Sequence, residues 1–341
     1  MRPTRPIFSL VLLALFALTG LAVHAQDDAP FVLRIGHQRG DYYTILKNNG
    51  NLEAAIKAAY GDDATVEYTL FPAGPPLLEA LNGGSIDIGG VGNTPPIFAQ
   101  AADVPLVYFS SQLSTSGSAL IVPENSPIQS LEELAGKTVA FTSGSSANYF
   151  VIEALRTVGL DFPDIVPAPL APADARAAFD SGSIDAWVIW DPFLTIAVSQ
   201  VNARPLIDSS QLEPVRTYHL ASQAFAETNP EVVQIVFDQL QETITWVREN
   251  PQDYAAFLES ETTVPAALWL AIRENRPIFD LEYITDDIIA SQQAIADVFA
   301  ELELIPAAIT VEDVIWTPEG FDRTQPSLAI TLLEAEQPAD E

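Results

Sequence analysis

The sequence predicts an α/β fold built as two lobes on one plan. Three observations carry this: strand-like segments alternate with helical ones, glycines punctuate the helix ends, and one eight-residue stretch recurs downstream. The recurrence is Ala80-Leu81-Asn82-Gly83-Gly84-Ser85-Ile86-Asp87 against Ala178-Phe179-Asp180-Ser181-Gly182-Ser183-Ile184-Asp185. Carried forward, the same offset sets Gly92 against Trp190 and Asn93 against Asp191, each where a loop leaves the carboxyl end of a strand. Ligands in open α/β sheets collect at that edge.

The elements follow in order. Phe31 to Gly36 alternates as a strand, and Tyr42 to Asn49 is a short helix ending near Gly50. Val66 to Phe71 is a strand. A helix starts at Pro75-Pro76 and stops at Asn82-Gly83-Gly84, and Ile86, Ile88 and Val91 begin another strand. The pattern then restarts with a helical turn at Leu131 to Leu134, a strand at Lys137 to Thr142, the turn Ser143-Gly144-Ser145-Ser146, and a helix from Ala147 to Val158. A strand at Ile165 to Leu170, a helix at Ala173 to Asp180 and a strand at Ile184 to Trp190 complete the second run. Beyond Thr228-Asn229-Pro230 the chain becomes mainly helical: Val233, Val236, Leu240, Ile244 and Val247 keep a 3.6-residue period, and further helices are expected near 252–259, 265–275 and 285–303. Residues 318–341, rich in Pro, Glu and Asp, read as a loose tail.

Composition bounds the function. With 341 residues, 48% of them apolar, the chain buries a substantial core and is not intrinsically disordered. It carries 15 basic against 46 acidic residues, a field that repels phosphate backbones, so nucleic acid is excluded as a partner class. The absence of cysteine removes disulfides, thiolate nucleophiles and sulfur-ligated metals. Arg2 and Arg5 precede an apolar run from Ile7 to Val23 that ends in Val23-His24-Ala25, the order of a secretory signal peptide cleaved after Ala25. Without its two arginines the mature chain has 13 basic residues and a charge of about −33. No later stretch is long and apolar enough to span a bilayer, so an extracytoplasmic, soluble and monomeric protein is expected.

The run Phe71-Pro72-Ala73-Gly74-Pro75-Pro76-Leu77-Leu78-Glu79-Ala80-Leu81, then Gly84-Ser85-Ile86-Asp87 and Asn93-Thr94-Pro95-Pro96-Ile97-Phe98-Ala99-Gln100-Ala101, resembles the aliphatic sulfonate binding proteins of ABC importers. The likeness continues at Glu124-Asn125-Ser126-Pro127-Ile128, Gly144-Ser145-Ser146, Pro172 to Phe179, Asp185-Ala186-Trp187 and Ile189-Trp190-Asp191-Pro192, covering roughly residues 33 to 316. It implies a type II periplasmic binding protein fold: two α/β lobes joined by two crossovers, closing over a small solute for delivery to membrane permease subunits in sulfur uptake. It also implies a discontinuous first lobe, residues 26–115 and 222–317, with 116–221 as the second lobe.

A sulfonate is a permanent anion with three acceptor oxygens, so its site needs convergent donors. Ser143-Gly144-Ser145-Ser146, between a strand and a helix, supplies helix-start N–H groups and hydroxyls, although an ordinary N-cap has the same composition. The resemblance implies that Gly144, Ser145 and Ser146 bind the anion and that Gln38, in the matching turn of the other lobe, faces them as a donor. His37 stands where the family commonly has tyrosine, and Arg39 is the nearest candidate cation; both are secondary candidates. Asn93 and Thr94 offer an amide and a hydroxyl at a strand end, and the family often has aspartate at Asn93. Trp190 is read as packing on the organic part or donating its indole N–H, with core packing as the alternative. Asp191 cannot accept from a sulfonate, so it orients a donor, holds an amino group or latches the lobes. His219 is assigned to packing near the second crossover.

Catalysis, metals and cofactors lack a residue set. The mature chain has two histidines, His37 and His219, no nucleophile elbow and no recognisable ligand spacing. The closer rival is the same fold with taurine, nitrate, bicarbonate or a thiamine-precursor pyrimidine as solute. A flat heteroaromatic would use Tyr42, Tyr43 and Tyr149 where a sulfonate uses Ser145 and Ser146.

Overall fold

The computed structural model describes residues 30–274 and 277–336. The expected signal peptide, residues 1–25, and the last five residues lie outside the described residues. Among the described residues no helix is long and apolar enough to cross a membrane.

The chain first lays down β1 (Val32–Gln38), α1 (Tyr42–Asn49), α2 (Asn51–Tyr60), β2 (Thr65–Phe71), α3 (Gly74–Asn82), β3 (Ile88–Val91), α4 (Thr94–Ala101) and β4 (Leu106–Ser114). It crosses over and builds β5 (Ser118–Val122), β6 (Thr138–Phe141), α5 (Ser146–Arg156), β7 (Val166–Pro169), α6 (Pro172–Asp180), β8 (Ala186–Trp190), α7 (Phe193–Val201) and β9 (Arg204–Asp208). It then returns as β10 (Val215–Ser222), α8 (Gln223–Thr228), α9 (Pro230–Glu249), α10 (Pro251–Thr262), α11 (Ala266–Glu274), β11 (Leu281–Glu282), α12 (Asp286–Glu301) and α13 (Leu328–Glu336). The strands form two sheets, β11-β4-β10-β3-β1-β2 and β7-β6-β8-β5-β9.

The repeat has a structural meaning. In each lobe three parallel strands share one order, β2-β1-β3 and β7-β6-β8, with an antiparallel strand beside the third. The repeated aspartates do the same work: Asp87 accepts from the Arg34 N–H at 2.8 Å, and Asp185 accepts from the Thr138 N–H at 2.8 Å. Each aspartate's own N–H donates back to the same residue's carbonyl, locking the incoming turn onto the middle of the three parallel strands.

The second sheet is narrower in sequence than expected. β10 pairs with β3 and β4, so the return crossover lies at residues 209–214 and not near 221. A strand's sheet is decided by long-range pairing, which local periodicity does not register. The acidic C-terminal stretch also differs from the loose tail expected: Arg323 bridges Asp286 and Glu312, and Glu282 accepts from the N–H groups of Leu328 and Ala329 at the start of α13. Its anchors are distant in sequence, so composition alone hides them.

Apolar clusters flank both faces of each sheet: α1, α2 and α9 cover one face of the first sheet and α3 the other, while α5 and the pair α6 and α7 cover the second. A packed seam also joins the lobes. Fully buried Phe299 of α12 meets Phe98 of α4 at 5.1 Å and Tyr149 of α5 at 6.2 Å between ring centroids.

Candidate functional site

A cavity of about 350 Å3 lies where strands of both sheets end. The first lobe contributes the turn after β1 (Gln38 to Asp41), Gly74 at the start of α3, and Gly90, Val91 and Gly92 at the end of β3. The second lobe contributes Ser145 and Ser146 at the start of α5 and Trp190 and Asp191 at the end of β8. The first crossover, Ser114 and Ser116 to Ser118, lies between them with residues 215–219 of β10.

Ser145 and Ser146 have different roles. Ser145 is the N-cap of α5, buried, with its hydroxyl accepting from the Ala147 N–H and donating to the Thr142 carbonyl at 2.6 Å. Ser146 stands at the first helical position and faces the other lobe: a Cβ added to Gly92 would lie 1.8 Å from its Oγ. Glycine at 92 is what lets the Ser146 side chain lie against this backbone. Gly144 holds φ +67°, but its N–H donates to Asn148 Oδ1 at 3.2 Å, so it shapes the turn without facing the cavity.

The helix starts around the cleft are electrostatically unequal. Asp41 caps α1, taking hydrogen bonds from the Gln38 and Thr44 N–H groups and the Thr44 hydroxyl, and desolvation pushes its carboxyl up to about 6. Asp191 precedes α7 and accepts from the Thr195 N–H at 3.0 Å and its hydroxyl at 2.6 Å; the Asp191–Pro192 bond is cis. These carboxylates offset the positive ends of α1 and α7. By contrast α5 has a neutral serine cap and no acid in its first turn, so its dipole remains available to an anion.

Gln38 lines the cavity and donates through Nε2 to the Gly90 carbonyl at 3.2 Å. His37, its neighbour on β1, points to the opposite face because strand side chains alternate. Its Nδ1 meets Thr44 Oγ1 at 2.9 Å, and it borders a separate cavity of about 170 Å3 with Arg39 and Lys47. Arg39 borders both cavities, with one guanidinium N–H donated to the Glu261 carbonyl at 2.7 Å. Thr94 is fully buried and donates to Asn93 Oδ1. Asn93, equally hidden, borders a small neighbouring cavity of about 50 Å3 with Ser146 and Tyr149. The main cavity therefore gathers Gln38, Ser145, Ser146, Trp190 and Asp191, with Arg39 at its edge, but not His37, Thr94, Gly144 or Asn93. Sequence reasoning placed Gly92 at this edge by the repeat but missed Thr217, Tyr254 and the crossover serines; the small hydroxylic run Ser114-Thr115-Ser116-Gly117-Ser118 was the available signal.

The family described as NMT1/THI5 like matches residues 62–254. The chain belongs to that family. Its relatives include a protein of Escherichia coli (strain K12) named for binding aliphatic sulfonates, 37% identical across 94% of this chain and 99% of the relative. The crystal structure of the periplasmic aliphatic sulphonate binding protein SsuA from Escherichia coli superposes with a TM-score of 0.74 over 84% of this chain and 98% of that one, at 37% identity. The alkanesulfonate-binding protein SsuA from Xanthomonas axonopodis pv. citri, bound to MOPS, gives 0.79 over the same shares at 34% identity. The architecture is the two-lobed periplasmic binding protein fold.

His219 supplies a pH handle. Its Nδ1 lies 3.0 Å from the Tyr43 hydroxyl, and burial lowers its pKa to about 3. An unfolded histidine titrates near 6.5, so between about pH 6.5 and 3 the unfolded chain holds a proton that the folded chain lacks, and stability falls as pH falls, by up to about 1.4 kcal/mol per unit. Asp41 acts oppositely below about pH 6, where the folded chain keeps a proton that the unfolded one sheds. From pH 7 to pH 5 the native chain is expected to lose more stability than His219→Gln does, measured by urea unfolding. Parallel losses would show that the ring titrates freely in the folded state.

Proposed function

We propose that the protein is an exported solute-binding component of an ABC importer that captures organic sulfonates between its lobes and presents them to membrane permease subunits. The observation that carries this reading is the neutral-capped start of α5, where Ser146 faces the glycine backbone of Gly92 across the cleft. Backbone N–H groups and hydroxyls suit three acceptor oxygens that never take a proton. The names of the relatives support the same solute class.

The two crossovers, 114–118 and 209–214, supply the hinge, and the seam around Phe299 gives the lobes a packed edge about which to turn. A ligand favours the closed form only by the difference in its affinity for the two forms. Binding without turnover is supported by the relatives, which are named as binding proteins. The heteroaromatic rival is weaker, since Tyr149 lies beside the small cavity and not with Tyr42 and Tyr43.

The test is a melting scan of the mature chain against alkyl and aryl sulfonates, taurine, sulfate, nitrate and a pyrimidine. A ligand at about 100 times its Kd adds roughly 2.7 kcal/mol, a shift of several degrees. Sulfonates are expected to raise the melting temperature; a rise with nitrate or the pyrimidine alone would overturn the solute and keep the fold.

A further inference from the structure

A second cavity of about 180 Å3 adjoins the cleft, sharing a rim formed by Tyr42, Gln112, Ser116, Thr217 and Tyr254. Past that rim the annex carries an apolar wall of Trp269, Ile272, Ile278 and Phe279, with Thr115 and Arg273 also at its edge. Trp269 donates its indole N–H to Thr262 Oγ1 at 3.2 Å, so its polar atom is satisfied and its ring adds apolar surface. At the rim, Gln112 Nε2 donates to the Phe279 carbonyl at 2.6 Å and lies 3.4 Å from the Tyr42 hydroxyl, turning these polar groups toward one another and away from an incoming apolar group.

A sulfonate is charged at one end only, and its remainder gains by leaving water. An apolar cavity of roughly 150 Å3 accepts a benzene ring, so the annex has room for one ring. We propose that this annex receives the organic end of the ligand, and that the protein selects sulfonates bearing a ring or a similarly bulky apolar group over those with short alkyl chains. The inference rests on the sulfonate reading above; it adds which members of that class are preferred and which residues choose them.

The test compares ethanesulfonate with phenylethanesulfonate, which share headgroup and spacer and differ by the ring, using calorimetric titration of the mature chain. The ring is expected to tighten binding by at least about tenfold. Ile272→Trp, which fills the annex from α11, is expected to abolish that advantage while leaving ethanesulfonate within about twofold, and Phe279→Ala to reduce it several-fold. Retained ethanesulfonate binding shows that each variant is folded. Equal affinities in the unaltered chain, or an advantage that survives both variants, would overturn the annex while the sulfonate reading stood. Failure of both sulfonates to bind would remove that reading and this inference together.

Discussion

Arg216→Met is expected to destabilise the protein by about 3–5 kcal/mol, the cost of leaving a buried charge without its partner. Arg216 is 3% exposed and lies 2.9 Å from Glu282, whose side chain is 10% exposed. The guanidinium also donates to Ser111 Oγ at 3.0 Å and to the Ser327 hydroxyl. Although Arg216 borders the cleft, its charge is committed to this network. Glu282 is the hub: one oxygen faces Arg216 and Ser327, and the other accepts from the Leu328 and Ala329 N–H groups that open α13. Losing the arginine therefore strands a carboxylate that also holds the C-terminal helix. Adding Glu282→Gln should recover part of the loss, because the stranded charge disappears with it. Urea unfolding measures both variants, and amide exchange in residues 328–336 should rise in the single one. A loss under about 1 kcal/mol would show that water already reaches the pair.

The second large effect concerns binding. Gly92→Ala places a methyl 1.8 Å from Ser146 Oγ and 3.1 Å from its Cβ, so the hydroxyl must turn away or the lobes must separate. Ethanesulfonate affinity is expected to fall by about 2 kcal/mol or more, roughly thirtyfold, with little change in folding stability. Ser146→Ala should weaken binding by about 1–3 kcal/mol through the lost charge-assisted bond. Since both changes remove the same donor, the double variant should fall short of their sum. Ser145→Ala should behave differently, lowering stability by about 1 kcal/mol as a lost N-cap. Calorimetric titration and urea unfolding of the four variants separate these outcomes. Unchanged affinity in both Gly92→Ala and Ser146→Ala would move the anion away from α5.

How much was legible in the sequence varied with the range of the interaction. The repeated Gly-Ser-Ile-Asp turn exposed the two-lobed plan because each aspartate pins its own strand by a backbone hydrogen bond, a local device that leaves a recurring pattern. The start of α5 was legible for the same reason, since the Ser145 cap is settled within a few residues, whereas the Asp41 cap of α1 and the helix α7 behind Asp191 were not read. His37, a secondary candidate, borders another cavity while Gln38 beside it lines the cleft, since one step along a strand reverses the face.

By itself the sequence determined the two-lobed plan, the restart of the chain at the second lobe and the strand ends where the cavity lies. Tertiary structure alone decided which donors meet. Gly92 opposite Ser146, β10 in the first sheet, the Arg216–Glu282 pair and the aromatic annex all join residues far apart in the chain. Periodicity and capping record what a residue asks of its neighbours within a few positions. Which distant surface answers is set only when the packed lobes and their crossovers bring those surfaces together.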